Sequence, residues 1–181
     1  MLISKVLRSA LASCALIVSL GVLVAQPAVP SIGGVAGAAG ARAGVSSVFV
    51  GIVPQLRQTG VPLLLPTKFP IAHPFAVLGP TKPGSYVIDL GYVPACNGHA
   101  CELGHLAAKK APAPFHAPHG ASVRLVKGRT GYFVNFKCGA SCGDAFLRFD
   151  YSGYRYTFAL KAGSEKQLVA WANSALTAGP A

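Results

Sequence analysis

Two alternating runs, Ala145 to Tyr151 and Tyr154 to Lys161, are separated only by Ser152-Gly153. This pair constrains the fold more than any other feature of the chain. Alternation with a period of two marks strands with one buried face, and a two-residue connection ending in glycine suits a tight hairpin. Register follows from the turn. Tyr151 then faces Tyr154, Phe149 faces Tyr156 and Leu147 faces Phe158, so one side of the ribbon is apolar and aromatic. The other side pairs Asp150 with Arg155 and Arg148 with Thr157. A slip of one residue would turn every apolar side chain to the wrong face, which makes the sorting itself an argument for the register.

Further strands are expected at Ser85 to Val93, Ser122 to Lys127 and Thr130 to Lys137, the last with Tyr132, Val134 and Phe136 on one face. Prolines 62, 66, 70, 74, 80 and 83 exclude a long helix and predict extended chain crossing a sheet edge, because each lacks a backbone donor and restricts its predecessor. Ala107 to Gly120, rich in Pro, His and Lys, reads as a surface loop. Ser164 with Gln167 three residues later is a capping-box pattern. Leu168, Trp171, Ala172, Ala175 and Leu176 then recur at helical spacing. This stripe should pack on the aromatic face of the hairpin, with Trp171 in the core rather than stacking on a ligand. The fold class that results is α+β, a curved antiparallel β-sheet with a C-terminal helix packed on one face.

The N-terminal region sets the compartment. Lys5 and Arg8 precede an uncharged apolar run of seventeen residues, Ser9 to Ala25, which Gln26-Pro27 ends. That is the layout of a secretory signal peptide, and no basic stop-transfer cluster follows it. Residues 1–25 are therefore expected to be a signal, with cleavage after Ala25 or Ala28 and retention as an uncleaved anchor as the alternative. A secreted or periplasmic protein with no membrane span after cleavage follows. Leu11-Ala12-Ser13-Cys14 looks like a lipidation box, but it lies in the middle of the apolar run instead of at its end. Residues 26–61 read as a flexible Gly/Ala-rich leader, with Val48 to Val53 a short strand or extended chain. Residues 62–177 form the ordered domain and 178–181 a tail.

Outside the signal there are four cysteines, Cys96, Cys101, Cys138 and Cys142, an even number in a compartment that permits oxidation. A disulfide-stapled domain is the expectation. Of the three pairings, Cys96 with Cys101 and Cys138 with Cys142 is favoured, since each short loop contains glycine and can turn; cross-pairing would close loops of roughly forty residues.

The order Leu65-Pro66 to Pro70, Val123 to Phe133, the Leu147 to Tyr156 hairpin and Leu168 to Leu176 resembles that of secreted bacterial β-rich domains of unknown function, including those attached to anti-sigma-factor-like and sporulation proteins. The resemblance implies an antiparallel sheet closed by a C-terminal helix, and it carries no catalytic residues across. The four cysteines and the lack of an anti-sigma module depart from it.

Five acids in the whole chain leave little material for paired-carboxylate catalysis. Gly139-Ala140-Ser141-Cys142-Gly143 matches the G-x-S-x-G pattern of a hydrolase nucleophile, but a strand follows it where a helix is needed. Nucleotide-binding loops and zinc-protease motifs are absent. A non-catalytic protein without a cofactor is expected. Without Lys5 and Arg8, fourteen of the sixteen Lys and Arg face five acids, a net charge near +9. Arg124, Lys127, Lys137, Arg148, Arg155 and Lys161 are the candidates for a surface facing an anionic envelope component or an envelope protein, with no specific nucleic acid. Plain solubility is the competing explanation, since no basic block stands out. A second reading is a metal-handling (Cu or Zn) or thiol-redox protein using Cys96, His99, Cys101, His105, Cys138 and Cys142.

Overall fold

A computed structural model describes residues 45–69, 71–96, 98–113 and 120–181. The expected signal peptide with Cys14 and the Gly/Ala-rich stretch through Gly44 lie outside the described residues, as do His116 and His119 of the Pro/His/Lys-rich stretch. Seven strands form one open antiparallel sheet: β1 Phe75–Lys82, β2 Ser85–Gly91, β3 Glu102–Lys110, β4 Ala121–Arg124, β5 Thr130–Val134, β6 Asp144–Tyr151 and β7 Tyr154–Lys161, in the order β1-β2-β3-β7-β6-β5-β4. The β6–β7 hairpin has the register that its side-chain sorting demands, including Phe149 opposite Tyr156, Leu147 opposite Phe158 and Asp150 opposite Arg155. Ser152 and Gly153 both have positive φ, 49° and 78°. That is the left-handed geometry that matches a two-residue turn to the twist of its strands.

Inner-facing residues of the central strands are buried: Tyr86, Ile88 and Leu90 on β2, Leu106 and Ala108 on β3, Leu147 and Phe149 on β6, Tyr156, Phe158 and Leu160 on β7. The helix α2, Glu165–Ala178, covers this face with its stripe of Leu168, Trp171, Ala172, Ala175 and Leu176. Its start is the expected capping box: the Ser164 hydroxyl accepts from the Gln167 amide, and the Gln167 side chain accepts from the Ser164 amide. Trp171 is a core residue, 2% exposed, edge-on to Phe69 at 5.8 Å.

Several elements differ from expectation. Residues 45–61, read as leader, belong to the inner layer: a 3₁₀ turn at Ser47–Phe49 leads into α1, Val53–Arg57, and Phe49, Val53, Leu56 and Val61 join the core. The reason is the spacing of Phe49, Val53 and Leu56 by four and three residues, with Pro54 tolerated in the first turn of the helix. The C-terminal tail is likewise tied down, since the Ala181 amide donates to the Leu63 carbonyl. Strand β3 runs through the N-terminal part of the stretch expected to be a loop, and the loop proper begins at Ala111. Strand β5 ends at Val134, and β4 ends at Arg124, where a 3₁₀ turn over Val126–Gly128 begins close by. The proline-rich chain forms edge strand β1, whose register shifts between Leu78 and Thr81, around Pro80.

Both short disulfides form, Cys96–Cys101 and Cys138–Cys142. The loop Gly139–Gly143 is closed by the second of them and leads into β6, so it is a stapled turn and has no strand-to-helix geometry.

Candidate binding face

With one side of the sheet covered by α1, α2 and the chain between Gly60 and Phe69, the opposite side is where side chains meet solvent. Its rows follow from the registers. One row runs Lys82, Ser85, Lys109, Arg155, Asp150 from β1 across β2, β3 and β7 to β6. Arg124 stands on the edge strand β4, opposite Thr130. The next row runs Val87, Ala107, Thr157, Arg148, Tyr132, Ser122. The third runs Val77, Asp89, His105, Ala159, Phe146, Val134. Beyond it lie Glu102, Lys161, Asp144 and the Cys96–Cys101 loop. The face is thus graded, cationic at one end and rich in carboxylate and imidazole at the other.

At the cationic end a groove of about 340 Å³ is bordered by Lys109, Arg148 and Arg155, with Val87, Ala107 and Thr157 along its floor and His105 and Phe146 at its far side. Arg155 is held in place: its Nε and Nη2 donate to the two Asp150 oxygens at 2.9 and 3.1 Å, and Nη2 also donates to the Ala113 carbonyl at 2.8 Å. A two-point Arg–carboxylate fork fixes orientation as well as charge. Arg148 instead lies over the Phe146 ring, 5.4 Å from its centre, and no carboxylate is within ion-pair distance of it among the described residues. Its charge, like that of Lys109, meets no carboxylate among the described residues.

The remaining candidates scatter. Lys127 does not belong to this face: its Nζ donates to the Leu176 carbonyl at 2.6 Å, so it caps the C-terminal end of α2, where a cation meets the negative end of the helix dipole. Lys137 is an exposed neighbour of the Cys138 loop, outside the rows. Lys161 is on the face but at its acidic end, donating to the His99 carbonyl. Lys82 and Lys109 are not among the expected cations, Lys82 lying in the proline-rich extended chain and Lys109 in the stretch expected to be a loop; their strand register carries them into the row of Arg155.

The Cys/His metal set is corrected by the same geometry. All four sulfurs are spent in disulfides, each closing its own short loop, so no thiolate is available. His99 and His105 instead face acids: His99 Nδ1 lies 3.1 Å from Glu102 Oε2, and His105 Nδ1 lies 3.5 Å from Asp144 Oδ2. Burial, followed by the Glu102 charge, raises the Asp144 pKa above the usual carboxylate range; His105, Lys161 and His99 pull it back down. Glu102, His105 and Asp144 are all partly buried, and their ligand atoms lie within 4.8 Å of one another.

No family model, curated protein or solved structure matches the chain. No helix among the described residues is long and apolar enough to cross a membrane.

Proposed function

We propose that this chain is an exported, non-catalytic binding protein of the cell envelope, whose cationic sheet face holds an anionic envelope component. The observation that carries this reading is the groove bordered by Lys109, Arg148 and Arg155 on the uncovered side of the sheet, with Lys82 farther along the row of Lys109 and Arg155. Lys109 and Arg155 stand opposite each other on neighbouring strands, roughly 4.8 Å apart, Lys82 lies two strands from Lys109, and Arg148 lies in the next row, a spread of cations that suits a repeating acidic polymer or a cluster of phosphates. Phe146 and Thr157 supply contact surface between the charges. Export is supported by the signal-like N-terminus and by two disulfides, which persist outside the reducing cytoplasm. The likeness to secreted β-rich domains belongs to the same reading.

Arg148→Gln together with Arg155→Gln tests it. Arg148→Gln alone should change folding stability by no more than about 1 kcal/mol, whereas Arg155→Gln also gives up the Asp150 fork and the Ala113 contact, so retention is compared well below the melting temperatures of both proteins. Losing two charge-assisted contacts at about 1 kcal/mol each should weaken retention on anionic envelope extracts by on the order of tenfold to thirtyfold at low salt. The deficit should shrink as salt screens the wild type. Equal retention of the two proteins at every salt concentration rejects this face.

A further inference from the structure

We propose that Glu102, His105 and Asp144 form a divalent-metal site, that zinc is the ion it takes, and that His99 supplies a fourth ligand. The site adjoins the far side of the cationic groove, where His105 lines both, and it does not depend on the anion-binding reading.

The backbone brings these groups together in two steps. In a regular strand Glu102 and His105, an odd number of residues apart, would point to opposite faces. Here the β2–β3 register shifts by one residue: Leu90 faces Gly104 but Gly91 faces Glu102, so Leu103 is an extra residue. This bulge puts both Glu102 and His105 on the outer face. Asp144 belongs to β6, with β7 between it and β3. The outer-facing β7 residue opposite His105 is Ala159, small enough for the imidazole to reach across the strand to the Asp144 carboxylate.

Distances and partners fit a metal ion better than a salt-bridge network. Ligand atoms about 2.0–2.1 Å from a tetrahedral zinc ion lie about 3.3 Å from one another. The pairs His99–Glu102 and His105–Asp144 stand at 3.1 and 3.5 Å, already close to that edge length. In a chain with sixteen Lys and Arg, Glu102 and Asp144 nevertheless pair with imidazoles and not with a lysine or arginine among the described residues. The nearest strand neighbour of opposite charge, Lys161, sits opposite Asp144 yet directs its ammonium to the His99 carbonyl. A cleft of about 310 Å³ lined by Asp89, His99 and Glu102 adjoins the cluster and gives an ion and its water a path in. The donors are nitrogen and oxygen only. That set suits zinc; it lacks the thiolate that selects Cu(I), and it has more imidazole than calcium or magnesium accepts.

The test is calorimetric titration of the purified, chelator-stripped full chain with zinc chloride, together with thermal melts with and without the ion. One zinc per chain and a saturable rise in melting temperature are expected. Glu102→Gln and Asp144→Asn, each a near-isosteric change, should weaken binding by on the order of tenfold or more, with unchanged melts in chelator. His99→Gln should weaken it less, because that ring is exposed and must swing in. In the wild type, the His105 ring resonances should shift with zinc. The Arg148→Gln/Arg155→Gln double variant should bind zinc normally, which separates this site from the anion groove. No saturable binding, binding retained in both Glu102→Gln and Asp144→Asn, or zinc-induced shifts at other histidines with His105 unmoved would overturn the assignment.

Discussion

Replacing Phe158 by alanine is expected to cost about 3–5 kcal/mol of stability, as for other buried Phe→Ala changes. The residue is 1% exposed, in the middle of central strand β7, opposite Leu106 on one neighbour and Leu147 on the other. Its ring meets Phe149 edge-on at 5.4 Å, inside the core cluster that α2 covers. Removing it takes away apolar area and leaves a void that neither the sheet, fixed by hydrogen bonds, nor the packed helix can close. A domain of this size has on the order of 5–15 kcal/mol in total, so the loss is a large fraction. Denaturant unfolding of the oxidised protein checks it: the midpoint should fall strongly with an unchanged slope. A loss below about 1 kcal/mol would mean that the inner and outer faces of the hairpin are reversed.

Gly104→Ala is expected to be comparably damaging, at about 3 kcal/mol or more, through overpacking and backbone strain combined. Gly104 has φ of 152°, and a Cβ there would stand 2.1 Å from the Ala159 carbonyl oxygen and 2.9 Å from the Leu160 Cα. Both are backbone atoms of β7, which cannot move aside as a flexible side chain would. To accept the methyl group, β3 must separate from β7 or the bulge at Leu103 must be lost. Either outcome also shifts Glu102 and His105 relative to Asp144. Thermal melts and zinc titration of the one variant therefore read the same defect twice. Wild-type stability in Gly104→Ala would contradict the bulged geometry.

What was legible in the chain followed locality. The hairpin register and the capped helix were readable because the turn, the cap and the apolar periodicity each lie within a few residues of what they control. The short disulfides shared that advantage. Strand β3 was not readable, because the bulge at Leu103 breaks the alternation that marks a strand, and Ala107 and Ala108 blur the rest. The segment Phe49 to Val61 was hidden by its Gly- and Val-rich surroundings, although the spacing of Phe49, Val53 and Leu56 carried a weak helical signal. Among the candidate cations, Arg148 and Arg155 could be placed from the hairpin alone. Lys82 and Lys109 needed the pairing of β1, β2 and β3, and Lys127 had a partner, the Leu176 carbonyl, that only the packed fold supplies. His105 and Asp144 meet across an intervening strand, so nothing in their sequence neighbourhoods marks them as a pair.

The proposed function requires the uncovered sheet face, at its cationic end, to be the binding surface. Backbone amide NMR of the uniformly labelled protein, titrated with a short soluble acidic cell-wall oligomer, tests it most directly. Saturable shifts should fall on β3, β7 and β6 around Lys109, Arg155 and Arg148, and should fade as salt is added. Shifts confined to α2 and the chain packed beside it, or none below aggregating concentrations, would contradict the claim.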